Sequence, residues 1–232
     1  MEALILYFVL FFPSFSSGLS GGISQTDAIS FSIFRELGRT LTYTIPSLAL
    51  LWYLILDIKS SDLKPGGKKG LVALRFEMPG WHRIFSRDLV SFIIGLPGLF
   101  LIGLGISLLI SFFPDFLGLP PPPKVEGPAT IAGWIVMVFS CLGTGYLEES
   151  YFRYYLITKL DYQLPQTALR IALSTVLFSV CHFYEGPWGI LNAVLAGVFL
   201  SVLFFRYRSL HGIAWAHGAY NILVYAMGNF SA

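Results

Sequence analysis

The sequence predicts an all-α, polytopic membrane helix bundle of six to eight transmembrane helices, and three observations predict it. Of the 232 residues, 55% are hydrophobic and only 12% charged, with a mean hydropathy of +0.70. That leaves too little polar surface to clothe a soluble domain. Six segments are apolar and almost uncharged over about 20 residues, the length needed to cross roughly 30 Å of hydrocarbon at 1.5 Å per residue. The basic residues also divide unevenly. With the amino terminus in the cytosol, eleven of the 15 fall on one side, three on the other, and Arg153 stays within a span, which is the bias that orients membrane proteins.

Taken in order, the first candidate helix is Ala3 to Phe15, shorter than a full span and interrupted by Pro13. Glu2 stands where a signal peptide would carry positive charge, and no small-residue cleavage site follows at a suitable distance, so a retained helix is expected. The spans proper run from Leu41 to Ile58, Leu89 to Phe113, Ile131 to Leu147 and beyond, Thr167 to Phe183, Gly189 to Phe205, and Leu210 to Met227. The charge bias places the connection Asp57 to Asp88 in the cytosol. Its Pro65-Gly66-Gly67 turn and basic cluster read as a solvated connector, with Trp81 and Phe85 beside Arg83 and Arg87 as an interfacial anchor. Pro120 to Pro123 is a stiff spacer. A net charge of +2 gives no reason to expect a nucleic-acid partner. Cys141 and Cys181, both in apolar stretches, lack the spacing of a disulfide framework or a zinc site and read as packing residues.

Ionisable groups inside the spans carry the functional information, because charge at bilayer depth is expensive and faces a cavity or a partner. Three clusters qualify. In the first, Glu149 and Arg153 stand four apart on one helix face and can pair, while Glu148 is rotated about 100° away, the freer carboxylate and the better general base. The second is Phe178 to His182, the third His217 to Asn221, whose two polar side chains share a face. Gly212, Gly218 and Ala219 beside them would admit a close helix or a peptide. Each cluster alone has a bland reading: a helix surfacing at its glutamates, a hydrogen-bonded packing histidine, a polar contact between helices. Cys181 next to His182 cannot form a thiolate–imidazole pair, since adjacent helical positions diverge. His211 is expected at the membrane edge and His82 in the solvated loop. Counting from the cytosolic ends, Glu148 lies ~16 Å above Lys159, His217 ~10 Å above Leu210 and His182 ~18 Å above Arg170, so one shared site is possible.

In that order on successive membrane helices, Glu-Glu-x-x-x-Arg at 148 to 153, Phe-x-x-x-His at 178 to 182 and His-x-x-x-Asn at 217 to 221 resemble the motif set of the CAAX-processing and bacteriocin-processing (CPBP, or Abi) family of intramembrane endopeptidases. The resemblance covers about Trp134 to Tyr225; the amino-terminal half matches only in being hydrophobic. It implies two parts: residues 1–128, membrane helices with a basic cytosolic loop, and residues 129–232, the catalytic helical core. It also implies roles. Glu148 would activate the attacking water, His182 would position or polarise it, and His217 and Asn221 would stabilise the oxyanion. Glu149 and Arg153 would hold the first helix in register, with Phe178 in support.

The expected activity is endoproteolysis of a peptide or protein substrate at the bilayer, without a cofactor and with the site open to the cytosol. A zinc-dependent version would use Glu148, His182 and His217 as ligands, a legitimate catalytic set. Against it, asparagine is a poor zinc ligand and no His-Glu-x-x-His helix fixes two ligands. Competing readings are a proton-coupled carrier, for which paired interrupted helices would be expected, and a non-catalytic scaffold. The compact length points to a prokaryotic inner (plasma) membrane.

Overall fold

In a computed structural model of the chain, the structure describes residues 2–19, 31–62, 81–113, 125–161 and 163–228. Seven helices make up nearly all of these: α1 (Glu2–Leu19), α2 (33–62), α3 (Trp81–Phe112), α4 (Ile131–Asp161), α5 (Thr167–Val180), α6 (Gly186–Tyr207) and α7 (Leu210–Gly228). Helices α2 and α4 run on through wider π-helical stretches, Thr40–Thr44 and Ser150–Leu156, and a 3-10 turn, Phe183–Glu185, joins α5 to α6. The helix ends follow local chemistry. Ser32 and Thr130 accept backbone N–H bonds from Arg35 and Gly133, satisfying donors that a helix start leaves unpaired. Pro187 sits in the first turn of α6, where its missing N–H costs nothing. Arg208, at φ 54°, takes the left-handed conformation that ends that helix.

Every segment expected to be helical is helical, and the fold is an all-α membrane bundle. Among the described residues, three helical segments are long and apolar enough to cross a membrane, Ser86–Phe112, Ile131–Asp161 and Phe183–Tyr207, and Glu2–Phe11 and Thr167–Val180 are shorter apolar helices. Their outward faces are themselves apolar: Ile131, Phe139 and Leu101 are 82%, 67% and 63% exposed, as lipid-facing side chains would be. Some boundaries differ from expectation. Helix α5 stops at Val180, so His182 lies in a turn and not in a span. The connection Asp57 to Asp88 is helical at both ends, up to Asp62 and from Trp81. Its Pro65–Gly67 turn and basic cluster lie outside the described residues, as do Pro120 to Pro123; the side chains of Trp81, His82, Arg83 and Phe85 also lie outside the description.

Helix α7 is central, packed on α3 and α4, while α6 packs on α5 and α3. Two glycines let α4 and α7 meet backbone to backbone. A Cβ on Gly145 would stand 2.8 Å from backbone atoms of Ala214 and Gly218, and one on Gly218 would stand 2.9 Å from Leu142 Cα. Both distances are shorter than real Cβ contacts. Gly212 makes the matching approach to α3, where a Cβ would meet the Asp88 carbonyl oxygen. The neighbours admitted by Gly212 and Gly218 are therefore helices of this chain.

The first helix is built into the core. Leu6, Tyr7, Leu10 and Phe11 are buried against Tyr151, Phe152 and Tyr155 of α4. Polar atoms tie it down as well. Tyr7 donates to the Leu177 carbonyl at 2.8 Å, Tyr151 to the Ala3 carbonyl at 2.6 Å, and Tyr155 and Lys159 to the Glu2 carboxylate at 2.7 and 3.2 Å. A second apolar cluster, from Leu99 of α3 through Leu200 and Phe204 of α6 to Ile213 of α7, supports the other side of α7.

Candidate active site

The three motif clusters reach the same part of the bundle, though not with equal closeness. Glu148 and Glu149 end the regular α-helical part of α4, and the π-helical stretch begins at Ser150. Such wide turns inside helices recur at functional sites, where the extra residue per turn redirects side chains. Arg153 lies within that stretch, and its Nη1 still donates to Glu149 Oε1 at 3.1 Å, the pairing expected from their spacing. Both side chains are completely buried.

Glu149 does more than hold its helix. Its Oε1 also accepts from His217 Nδ1 of α7 at 2.8 Å. An ionised carboxylate can only accept, so this bond assigns the proton to Nδ1 and turns Nε2 the other way. There it meets Glu148: Nε2 and Glu148 Oε2 are 3.6 Å apart, within ion-pair range but too long for a direct hydrogen bond. His217 therefore stands between two adjacent glutamates. Glu148 and His217 keep 16% and 9% side-chain exposure, enough for contact with a small molecule.

Phe178 joins the remaining parts. Its ring carries the Arg153 guanidinium at 4.2 Å, the His182 ring at 4.5 Å and the His217 ring at 6.1 Å. The attraction of a ring face for a cation offsets some of the cost of burying Arg153, whose Nε and Nη2 have no hydrogen-bond partner among the described residues. His182 Nδ1 donates to the Phe178 carbonyl oxygen at 2.8 Å. A carbonyl cannot donate, so the neutral ring keeps its lone pair on Nε2. Asn221 lies one turn beyond His217 on α7, partly buried.

Both cysteines are buried and free, and Cys181 Sγ donates to the Tyr7 hydroxyl at 3.3 Å, in keeping with packing. His211 is held away from this centre, with Nδ1 at 3.0 Å from the Tyr146 hydroxyl and its ring beside Trp52 and Trp215. Among the described residues, no group of three His, Cys, Asp or Glu side chains is arranged to hold a metal ion. Of the set Glu148, His182 and His217, the first and last approach each other, while His182 Nδ1 is committed to a backbone carbonyl.

A second polar cluster escaped the sequence reading. Arg39 of α2 donates to Glu36 Oε2 and to Ser140 and Thr144 of α4, and Ser140 also donates to Glu36 at 2.9 Å. The signal was present in α4, since Ser140, Thr144 and Glu148 recur every four residues and line one face.

Residues 130–223 match the family described as type II CAAX prenyl endopeptidase Rce1-like, in agreement with the resemblance of the motifs. The match spans all seven site residues and leaves out α1, α2 and α3. No curated protein and no solved structure matches the chain. The matched family is one of membrane proteases, so residues 130–223 are similar to a CAAX-type endopeptidase, and the apolar helices fit an integral membrane protein.

Proposed function

With residues 130–223 in a family of CAAX-type endopeptidases, we propose that the chain hydrolyses a peptide bond of a membrane-associated substrate by a glutamate-activated water, in a prokaryotic plasma membrane. The observation that carries this reading is His217 held between Glu149 and Glu148. Glu149, itself anchored by Arg153, takes the place of the carboxylate that orients a catalytic histidine elsewhere. Glu148 is then the carboxylate open to reaction.

In this reading Glu148 accepts a proton from water as the oxygen attacks the substrate carbonyl. His182 Nε2, a lone-pair acceptor because Nδ1 is spent on Phe178, helps to aim that water. The tetrahedral oxyanion takes hydrogen bonds from the Asn221 amide and from His217 Nε2 when that nitrogen carries a proton. Glu148 then gives its proton to the departing amine, so one carboxyl serves as base and acid in turn.

The test is Glu148→Gln in the full chain, purified in detergent, on a prenylated-cysteine peptide ending in three apolar residues. Cleavage should fall by about 10²- to 10⁴-fold while the melting temperature stays put. Undiminished cleavage by the variant would overturn the assignment, and a carrier or a scaffold would leave the wild type with no cleavage to lose.

A further inference from the structure

Tyr7 of α1 lies outside the family match, yet it touches the two positions that precede the motif residues at the end of α5. Its hydroxyl donates to the Leu177 carbonyl at 2.8 Å, and Cys181 Sγ donates to the same hydroxyl at 3.3 Å. Leu177 adjoins Phe178, and Cys181 adjoins His182. One phenol thus spans the turn of chain that carries the Phe-x-x-x-His pattern. That turn needs a hold from outside, because the regular helix has ended: the His182 N–H bonds to the Ser179 carbonyl, and the Glu185 N–H bonds to the His182 carbonyl. The Phe178 carbonyl, which a continuing helix would give to the N–H of residue 182, takes His182 Nδ1 instead. The tautomer of His182 therefore depends on how the Phe178 carbonyl and the imidazole are set relative to each other. Helix α1 also packs on the Phe183–Glu185 turn that follows, so it braces the chain on both sides of the histidine.

We propose that Tyr7 is a positioning residue for His182: its hydroxyl fixes the end of α5 so that Nδ1 stays on the Phe178 carbonyl and Nε2 is left to aim the water that Glu148 activates; this rests on the endopeptidase reading above. The surroundings of the hydroxyl support the role. Tyr7 is 1% exposed, and its ring packs among Phe8, Phe11, Tyr151 and Phe152 at centroid distances of 5.5–6.2 Å. Phenylalanine would supply that packing without a buried hydroxyl to satisfy. The two contacts above spend the hydroxyl on the end of α5. Other polar ties of α1 lead elsewhere: Tyr151 and Tyr155 of α4 donate to the Ala3 carbonyl and the Glu2 carboxylate, which joins α1 to α4 and not to α5.

The experiment uses the full chain in detergent, with isotope-labelled histidine for nitrogen NMR and the prenylated-cysteine peptide as substrate. The His182 signals, identified by their loss in His182→Gln, report which ring nitrogen carries the proton. Tyr7→Phe removes one oxygen and keeps the ring. It should lower kcat about tenfold to a hundredfold with KM within about twofold, the pattern of a misplaced reacting group and not of a lost binding contact. It should also move the His182 proton from Nδ1 towards a mixture of both ring nitrogens. The melting temperature should fall by about 2–4 °C, as for one hydrogen bond in a chain of this size. Tyr151→Phe removes a hydroxyl from the α1–α4 contact and should leave kcat and the His182 signals unchanged. An unchanged kcat in Tyr7→Phe, or a lower kcat with the His182 signals in place, overturns the proposal while leaving the protease reading intact. An equal loss in Tyr151→Phe overturns it too, by assigning the effect to the docking of α1 as a whole. If the wild type cleaves no peptide, the protease reading falls alone, and the His182 signals still decide whether Tyr7 holds the ring.

Discussion

Two glutamate–arginine pairs pack against α4, and their surroundings are opposite. Glu149 and Arg153 are 3.1 Å apart with both side chains fully buried. Glu36 and Arg39 are 2.8 Å apart with side-chain exposures of 11% and 40%. The outer pair spreads its hydrogen bonds over Ser140 and Thr144, and Glu36 also forms an ion pair with Arg35. The inner pair has little besides itself: Glu149 Oε2 and two Arg153 nitrogens have no hydrogen-bond partner among the described residues, and His217 and the Phe178 ring supply the rest. The difference teaches that the same two residue types do different work according to solvent. A buried pair holds a geometry because breaking it strands a charge. An accessible pair leaves a cation available to something else.

The largest expected effect comes from the adjacent carboxylates, which should separate catalysis from stability. Glu148→Gln should cost about 10²- to 10⁴-fold in cleavage and little in melting temperature, because Glu148 is partly exposed and stands 3.6 Å from His217, too far for a direct hydrogen bond. Glu149→Gln should instead lower stability by about 3–5 kcal/mol, since it leaves Arg153 buried without a counter-charge, and it should lower activity through the loss of His217 orientation. Thermal melts in detergent beside cleavage rates would show it; equal phenotypes for the two variants would break the distinction between a reacting and a holding glutamate.

A smaller effect is expected where no charge is involved. Gly218→Ala inserts a methyl at 2.9 Å from Leu142 Cα, so α7 must move off α4 and carry His217 away from Glu149. The expected cost is about 1–3 kcal/mol, with a fall in cleavage larger than the stability change alone would give. The outer pair should respond least: Glu36→Gln should cost about 1 kcal/mol or less, as expected for a partly exposed ion pair. A stability loss as large as that of Glu149→Gln would erase the contrast. Dialysis against a chelator should leave cleavage unchanged in the glutamate mechanism, and loss of activity restored by zinc would replace that mechanism.

Much of the bundle was legible from the sequence, because lipid makes each helix declare itself locally. Apolar runs of span length, the i,i+4 spacing of Glu149 and Arg153, and the small residues Gly212 and Gly218 are properties of neighbouring positions, and each appears in the fold in the form its chemistry requires. The order of the three motifs pointed to the protease family for the same reason. What the sequence could not supply were partners across the chain. His217 donates its hydrogen bond to an acceptor 68 positions away, and Arg39 binds Ser140 across 101. Periodicity carries no record of which faces of different helices meet. Glu149, expected only to hold its helix, became the orienting group of His217 because the Gly145–Gly218 contact draws α7 onto α4. The end of α5 at Val180 likewise places His182 in a turn, with its Nδ1 on the Phe178 carbonyl. Composition and spacing determined that this chain forms membrane helices carrying an acid, two imidazoles and an amide; helix packing alone decided which carboxylate is buried and paired and which keeps some exposure, because burial and pairing are set by distances between helices.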